Sequence, residues 1–123
     1  MTEMIRALVT FFEQTGLPVY LRGWTPADAP LPRLTLEIRE GRVTAECRFR
    51  SAARGGESAN ERRLRAMDGL CALVPPGGVL LPFPGGAATL RRPAAGFREL
   101  AEEPGAGGDT VGRVRFDLWE ART

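Results

Sequence analysis

Carboxylates are the side chains in this sequence that could best carry out acid–base catalysis, because two carboxylates held close together can act as acid, base or nucleophile. The candidates are Glu37, Glu46, Glu102, Glu103 and Asp109. Glu37 and Glu46 alternate with threonine and arginine, which is typical of a solvated sheet face. Glu102 and Glu103 come directly before a Pro-Gly dipeptide, which indicates a loop. We therefore expect no catalytic carboxylate pair.

The basic residues exclude several other kinds of active site. Every one of the 17 basic residues is an arginine, and histidine is absent. Without lysine there is no GK[ST] phosphate loop and no Schiff-base nucleophile, and without histidine there is no Ser-His triad, Cys-His dyad or histidine metal site. Cys47 and Cys71 are too few for a structural zinc site, and Cys47 lacks a partner base. We expect a protein that is not an enzyme and holds no metal or cofactor.

Arginines could instead bind phosphate groups, and they fall in three clusters. The clusters are Arg62, Arg63 and Arg65 in a predicted helix, Arg91 and Arg92 at the end of a predicted strand, and Arg48, Arg50, Arg113 and Arg115 on strand faces. The 15 acidic residues nearly balance the arginines, so that the net charge is only +2. Phe49 points away from the strand side that carries Arg48 and Arg50, which disfavours stacking of bases between them. A nucleic-acid-binding α+β domain that uses these arginine-rich faces is therefore the alternative function.

Periodicity predicts the elements that position these side chains. Apolar residues at helical spacing over 2–15 predict a first helix that ends at Gly16, and residues 17–22 predict a short strand. Period-two alternation over 34–39 and 43–50 predicts a hairpin whose loop is Glu40-Gly41. The register that keeps the apolar residues on one face pairs Ile38 with Val43, Leu36 with Ala45 and Leu34 with Cys47.

The second half of the chain predicts a second helix and further strands. Ser58-Ala59-Asn60-Glu61 matches a capping box, and the helix that follows ends at Pro75. Its predicted buried stripe consists of Leu64, Met67, Leu70, Cys71 and Val74. Residues 79–83 and 87–92 predict two short extended segments around a turn, and Pro82 makes the first an edge strand. Residues 93–109 favour a long loop, with at most a short helix over 97–102, and residues 112–121 predict a closing strand.

This order of elements predicts one α+β domain over 1–123, a largely antiparallel sheet of about four or five strands with two helices packed on one face. No apolar run approaches the roughly 20 residues of a membrane span, and the N-terminus lacks a basic region followed by an apolar stretch. We therefore expect a protein that stays in the cytosol where it is made. Cys47 and Cys71 are expected to be buried thiols rather than a disulfide.

The segment Gly23–Pro32, GWTPADAPLP, is a connector stiffened by three prolines. Because proline fixes φ, removes a backbone donor and disfavours helix in the residue before it, we expect the connector to be extended and unpaired. It carries a lone tryptophan, Trp24, directly before the predicted hairpin.

Four stretches of the chain, taken in order, resemble the small tail terminator and tail-to-head joining proteins of long-tailed bacteriophages, which are described as minor tail or minor capsid proteins. They are DAPLPRLTLEIREG, FRSAARGGESANERRLRAMDGLCALV, GGVLLPFPGGAATLRRPAAGFRELAEEPG and GRVRFDLWEA. The resemblance covers nearly the whole chain after Gly16 and lies in the order of the elements, not in a catalytic signature.

The resemblance implies a structural protein of the virion tail or neck that is made in the cytoplasm of the bacterial host. Such a protein forms a hexameric ring that caps the tail tube, contacts the tail tube protein and the head connector or stopper protein, and lets DNA pass through its centre. Each subunit of a ring presents two different patches. The residues expected at the interface with a neighbouring subunit or the tube are Trp24, Arg91, Arg92 and Phe97. The alternatives are that Trp24 covers the domain's own core and that the other three form a solvated strand end and an anchored loop.

Overall fold

Two helices and a mixed sheet make up the part of the chain that the computed structural model describes, which is residues 2–50, 58–94, 98–102 and 109–122. The helices are α1 (Glu3–Phe12), which continues into a 3₁₀ turn (Glu13–Thr15), and α2 (Ala59–Leu73). The strands are β1 (Val19–Leu21), β2 (Arg33–Arg39), β3 (Arg42–Phe49), β4 (Val79–Phe83), β5 (Gly86–Arg91), β6 (Arg98–Glu102) and β7 (Thr110–Arg122). The mixed α+β character and the two helices agree with the sequence prediction. The described residues form seven strands, where about four or five were expected.

The long strand β7 organises the sheet. One of its edges pairs with β3, and the other pairs with β6 over residues 110–114 and with β5 over residues 117–122. The sheet then continues outward from β3 to β2 and β1, and from β5 to β4, so that β1 and β4 lie at its two ends. Among the described strands β6 pairs with β7 alone, so it too has an open edge. All pairings are antiparallel except that of β1 with β2. The prediction that Pro82 belongs to an edge strand is confirmed.

The β2–β3 hairpin has the predicted register. Its residue pairs include Ile38 with Val43, Leu36 with Ala45 and Leu34 with Cys47. Gly41 takes φ of 78° in the loop, a conformation that glycine adopts without a Cβ clash. Apolar residues of β2, β3, β5 and β7 therefore lie on one face of the sheet and belong to one buried cluster.

Both helices pack on this apolar face. Thr2 caps α1 by accepting a hydrogen bond from the Ile5 amide, and Phe12 of α1 lies 5.8 Å from the Phe116 ring of β7, with both side chains fully buried. Ser58 caps α2 by accepting from the Glu61 amide at 3.1 Å, as the capping-box motif predicts. Met67 and Leu70 of α2, together with Val74 just after it, are fully buried, which confirms that part of the predicted stripe.

Strand β6 differs from the sequence prediction, since a long loop or a short helix was expected where residues 98–102 form a strand. The reason is the length of β7, which extends beyond β5 and would leave backbone donors and acceptors unpaired on that edge. β6 supplies their partners. Its first residue, Arg98, also forms an ion pair with Asp68 of α2 at 3.0 Å. Phe97 lies outside the described residues.

Candidate interaction surfaces

Trp24 is exposed to 76% and does not cover the domain's own core. Its backbone amide and the Thr25 hydroxyl both donate to the Leu21 carbonyl at 3.0 Å, which fixes the start of the connector to the end of β1. The connector forms no strand or helix, as expected, but it contains a turn in which Ala29 donates to Pro26, so it is less extended than predicted. Trp24 borders a groove of about 510 Å³, here called the Trp24 patch. Its other lining residues are the apolar Ile5, Leu21, Leu36 and Ile38 and the charged Arg22, Glu37 and Arg39.

A second exposed apolar surface, here called the Leu80 patch, lies toward the β4 edge. Leu80 is exposed to 63% and Trp119 to 56%, and both are cross-strand neighbours of Thr89. The Arg91 guanidinium lies 5.8 Å from the centre of the Trp119 ring. The patch therefore consists of Leu80, Trp119 and the stacked Arg91.

Sequence reasoning selected Arg91 but missed Leu80 and Trp119. A signal for Trp119 was available, because it alternates with Leu118 and so falls on the same strand side as Arg115 and Asp117. No such signal existed for Leu80, since β4 reads VLLPF and has no polar residue to mark its outer side.

Arg92, the next predicted interface residue, makes hydrogen bonds inside the domain. Its Nε donates to the Val74 carbonyl at 2.6 Å, and its Nη2 donates to the Cys71 carbonyl at 2.9 Å. These carbonyls belong to the C-terminal end of α2, where the helix leaves acceptors without intrahelical partners. Arg92 is therefore a cap for α2, and the structure separates it from Arg91, which lies on the opposite side of the strand.

A polar groove of about 520 Å³ runs across the other face of the sheet and is here called the arginine groove. Its lining consists of Arg22, Gly23, Thr25, Arg33, Thr35, Glu37, Arg42, Thr44, Glu46, Arg48, Arg113 and Arg115. Arg48, Arg113 and Arg115, which the sequence singled out, thus come together with three further arginines. Arg50 is exposed beyond the end of β3.

Ion pairs engage both glutamates of the arginine groove. Glu37 contacts Arg39 at 2.7 Å and Arg22 at 3.0 Å. The hydrogen bond from Arg39 lowers the pKa of Glu37, with burial opposing it and the charge of Arg22 adding to it. Glu46 lies between Arg113 at 3.0 Å and Arg48 at 3.3 Å. These two former catalytic candidates therefore act here as partners of arginines.

Asp109, another of the carboxylates considered as catalytic, also forms an ion pair with an arginine, since it contacts Arg48 at 3.4 Å. Of the remaining carboxylates considered, Glu102 has only its backbone described, in β6, and Glu103 lies outside the described residues. Among the described residues no group of three His, Cys, Asp or Glu side chains could hold a metal ion.

Two arginines of α2 are engaged by the domain itself. Arg63 is only 5% exposed, and it donates to the Val111 carbonyl at 3.2 Å and to the side-chain oxygen of Asn60. The Arg62 guanidinium lies 5.4 Å from the centre of the Phe49 ring. The first turns of α2 are thus a poor phosphate site, contrary to what the cluster of arginines in the sequence suggested.

Both cysteines are free thiols. Cys47 is fully buried under α2, and its thiol donates to the Gly112 carbonyl at 3.4 Å. Burial raises the pKa of Cys47 to about 11, which makes it a poor nucleophile. Cys71 is half-buried, and burial raises its pKa as well. The expectation of thiols rather than a disulfide is confirmed.

A scan against protein-family models, a search of the curated proteins and a search of the solved structures each found no match to this chain. No helix in the described part of the chain is long and apolar enough to cross a membrane. What the protein does is therefore inferred from its own surfaces.

Proposed function

We propose that this protein is a structural subunit that associates head to tail with copies of itself into a closed ring, as the tail terminators of long-tailed bacteriophages do. The observation that carries the proposal is that two different apolar patches are exposed at opposite ends of one sheet. Trp24 follows β1 at one edge, and Leu80 lies on β4 at the other. Large apolar side chains exposed in this way mark interaction sites.

The positions of the two patches favour a ring. An interface between two different patches is heterologous, and it generates a ring when the rotation between neighbours closes. The Trp24 patch offers a groove, whereas the Leu80 patch offers a protruding leucine and a tryptophan. A groove on one subunit can accept a protrusion of the next.

The edge strands favour contact through side chains over pairing of backbones. β1 has three residues, and β4 contains Pro82, which lacks the N–H that an added strand would need. Short edges and edge prolines prevent open-ended strand addition. The sheet can therefore present apolar patches at both ends without open-ended backbone pairing at β1 or β4.

In this proposal the ring is hexameric, belongs to the tail or neck of a virion and assembles in the cytoplasm of the bacterial host. It caps the tail tube, contacts the tube protein and the head connector or stopper protein, and needs no catalysis and no cofactor. Trp24 and Arg91 belong to the contact with a neighbouring subunit or the tube, and Phe97 keeps its predicted place there. Arg92, which caps α2, is not part of the proposed contact.

Two variants that each lack one patch test the proposal. Trp24→Ser removes one patch, and Leu80→Ser with Trp119→Ser removes the other. Each variant alone should be monomeric by sedimentation velocity, and an equimolar mixture should form a heterodimer, because one intact patch of each kind remains. The matched control is Arg65→Ser, an exposed change on α2 that should assemble like the wild type.

The result for the mixture distinguishes head-to-tail contact between the Trp24 patch and the Leu80 patch from other modes of association. A mixture that stays monomeric, although each variant has a native circular dichroism spectrum, would refute head-to-tail contact between these patches. Full assembly by either variant alone would refute it too.

A further inference from the structure

The arginine groove carries positive charge that its own glutamates do not neutralise. Six arginines and two glutamates line it, and two aspartates lie at its ends, Asp109 against Arg48 and Asp117 opposite Arg42. The chain as a whole has a net charge of only +2, so the excess is concentrated on this face. Concentrated charge of one sign in a groove raises the local concentration of ligands of the opposite sign.

Two cross-strand pairs of like charge lie at the ends of the β2–β3 ladder. Arg33 is directly opposite Arg48 at one end, and Arg39 is directly opposite Arg42 at the other. Like charges directly opposite each other destabilise an antiparallel pair. Carboxylates already offset part of that cost, because Asp117 is opposite Arg42 on β7 and Arg48 contacts Glu46 and Asp109.

Arg33 has unused hydrogen-bonding capacity. Its Nη1 donates to the Ala29 carbonyl at 2.9 Å, while its Nε is buried and has no hydrogen-bond partner within the described part of the chain. Arg48 opposite it is held by Glu46 and Asp109. The guanidinium of Arg33 is thus fixed in place at the groove, although its Nε is closed off from solvent.

The distribution of the arginines favours a polyanion over a single ion. Arg42 and Arg48 lie six residues apart on β3, which corresponds to roughly 20 Å along a strand. Arg115 lies near the Arg42 end, and Arg33 and Arg113 lie near the Arg48 end. No single phosphate group could reach both ends, whereas a chain of phosphates could.

We propose that the arginine groove binds the phosphodiester backbone of double-stranded nucleic acid without reading its sequence. Guanidinium groups recognise phosphate oxygens through paired hydrogen bonds, and the groove adds the hydroxyls of Thr35 and Thr44. None of its lining residues is aromatic, so the groove offers no platform on which unpaired bases could stack. This binding does not depend on ring formation, and either proposal can fail without the other.

Fluorescence anisotropy with a short labelled duplex DNA tests this proposal. We expect the wild-type chain to bind, and the logarithm of its affinity to fall linearly with the logarithm of salt concentration between about 50 and 200 mM. Arg42→Gln and Arg115→Gln should each reduce the slope of that line by about one, and each should weaken binding equally for two duplexes of unrelated sequence. Arg65→Gln, on the helix side of the domain, should leave both quantities unchanged.

Competition identifies the chemistry of the occupant. Long-chain inorganic polyphosphate should displace the duplex at a lower charge concentration than polyglutamate with the same number of charges per molecule does. The proposal is overturned if the wild type does not bind DNA at the lowest salt concentration, or if Arg42→Gln and Arg115→Gln bind like Arg65→Gln. More effective displacement by polyglutamate would also overturn it and would assign the groove to an acidic protein surface.

Discussion

Replacing Arg92 with alanine should lower the free energy of unfolding by about 2 kcal/mol. The substitution removes two hydrogen bonds from a charged donor to the Val74 and Cys71 carbonyls. Each such bond contributes about 1.5–3 kcal/mol, and a cation at the C-terminal end of a helix adds about 0.3–1 kcal/mol. Because Arg92 is only partly buried and ordering an arginine costs up to about 2 kcal/mol, we take a net value near the low end.

Urea denaturation measures this loss, and the neighbouring residue provides the control. Arg91→Ala removes an exposed stacking contact with Trp119 and should cost less than about 1 kcal/mol. Arg92→Lys should recover only part of the loss, because an ammonium group cannot reproduce the fork of a guanidinium. Equal denaturation midpoints for the two alanine variants would refute the assignment of Arg92 as the cap of α2. So would a loss of less than about 0.5 kcal/mol for Arg92→Ala.

Four further substitutions test the packing and the surfaces. Gly112→Ala should lower the free energy of unfolding, measured by urea denaturation, by about 1–3 kcal/mol, because the added Cβ would lie 3.0 Å from Met67 Cγ. Gly69→Ala is the control, because an added Cβ there would have no atom within 4 Å, and it should stabilise α2 by up to about 1 kcal/mol. Burial raises the pKa of Cys47 from 9.0 to about 11, so the stability that the buried neutral thiol contributes is complete below pH 9 and is lost as the pH rises toward 11. Cys47→Ala should therefore flatten the pH profile of the unfolding free energy between pH 9 and 11. An unchanged profile would contradict this. In the monomeric Leu80→Ser, Trp119→Ser background, Trp24→Ala should change the thermal midpoint by no more than about 2 °C, since the side chain is 76% exposed. A larger fall would mean that Trp24 does support the core.

The parts of the fold that could be predicted from sequence are those set by local patterns. The hairpin register follows from alternation, because a slip by one residue would move Leu36 and Val43 to the polar face. The start of α2 follows from a serine and a glutamate at the correct spacing. Both depend on residues close together in the chain.

The parts that could not be predicted depend on distant partners. Residues 98–102 have no clear strand pattern, and they become β6 only because β7 extends past β5. The role of Arg92 depends on the carbonyls of Cys71 and Val74, which only the folded chain brings to it. The arginine groove likewise combines residues of the connector, β2, β3 and β7, so composition alone could suggest its charge but not its shape.

The central claim is that the Trp24 patch of one subunit meets the Leu80 patch of the next in a closed ring. Sedimentation velocity of the wild-type chain over a wide concentration range tests it most directly. We expect one assembled species whose mass is a fixed multiple of the 13.4 kDa chain and stops growing as concentration rises. A chain that stays monomeric at every concentration, or oligomers that keep growing without a limit, would contradict the claim.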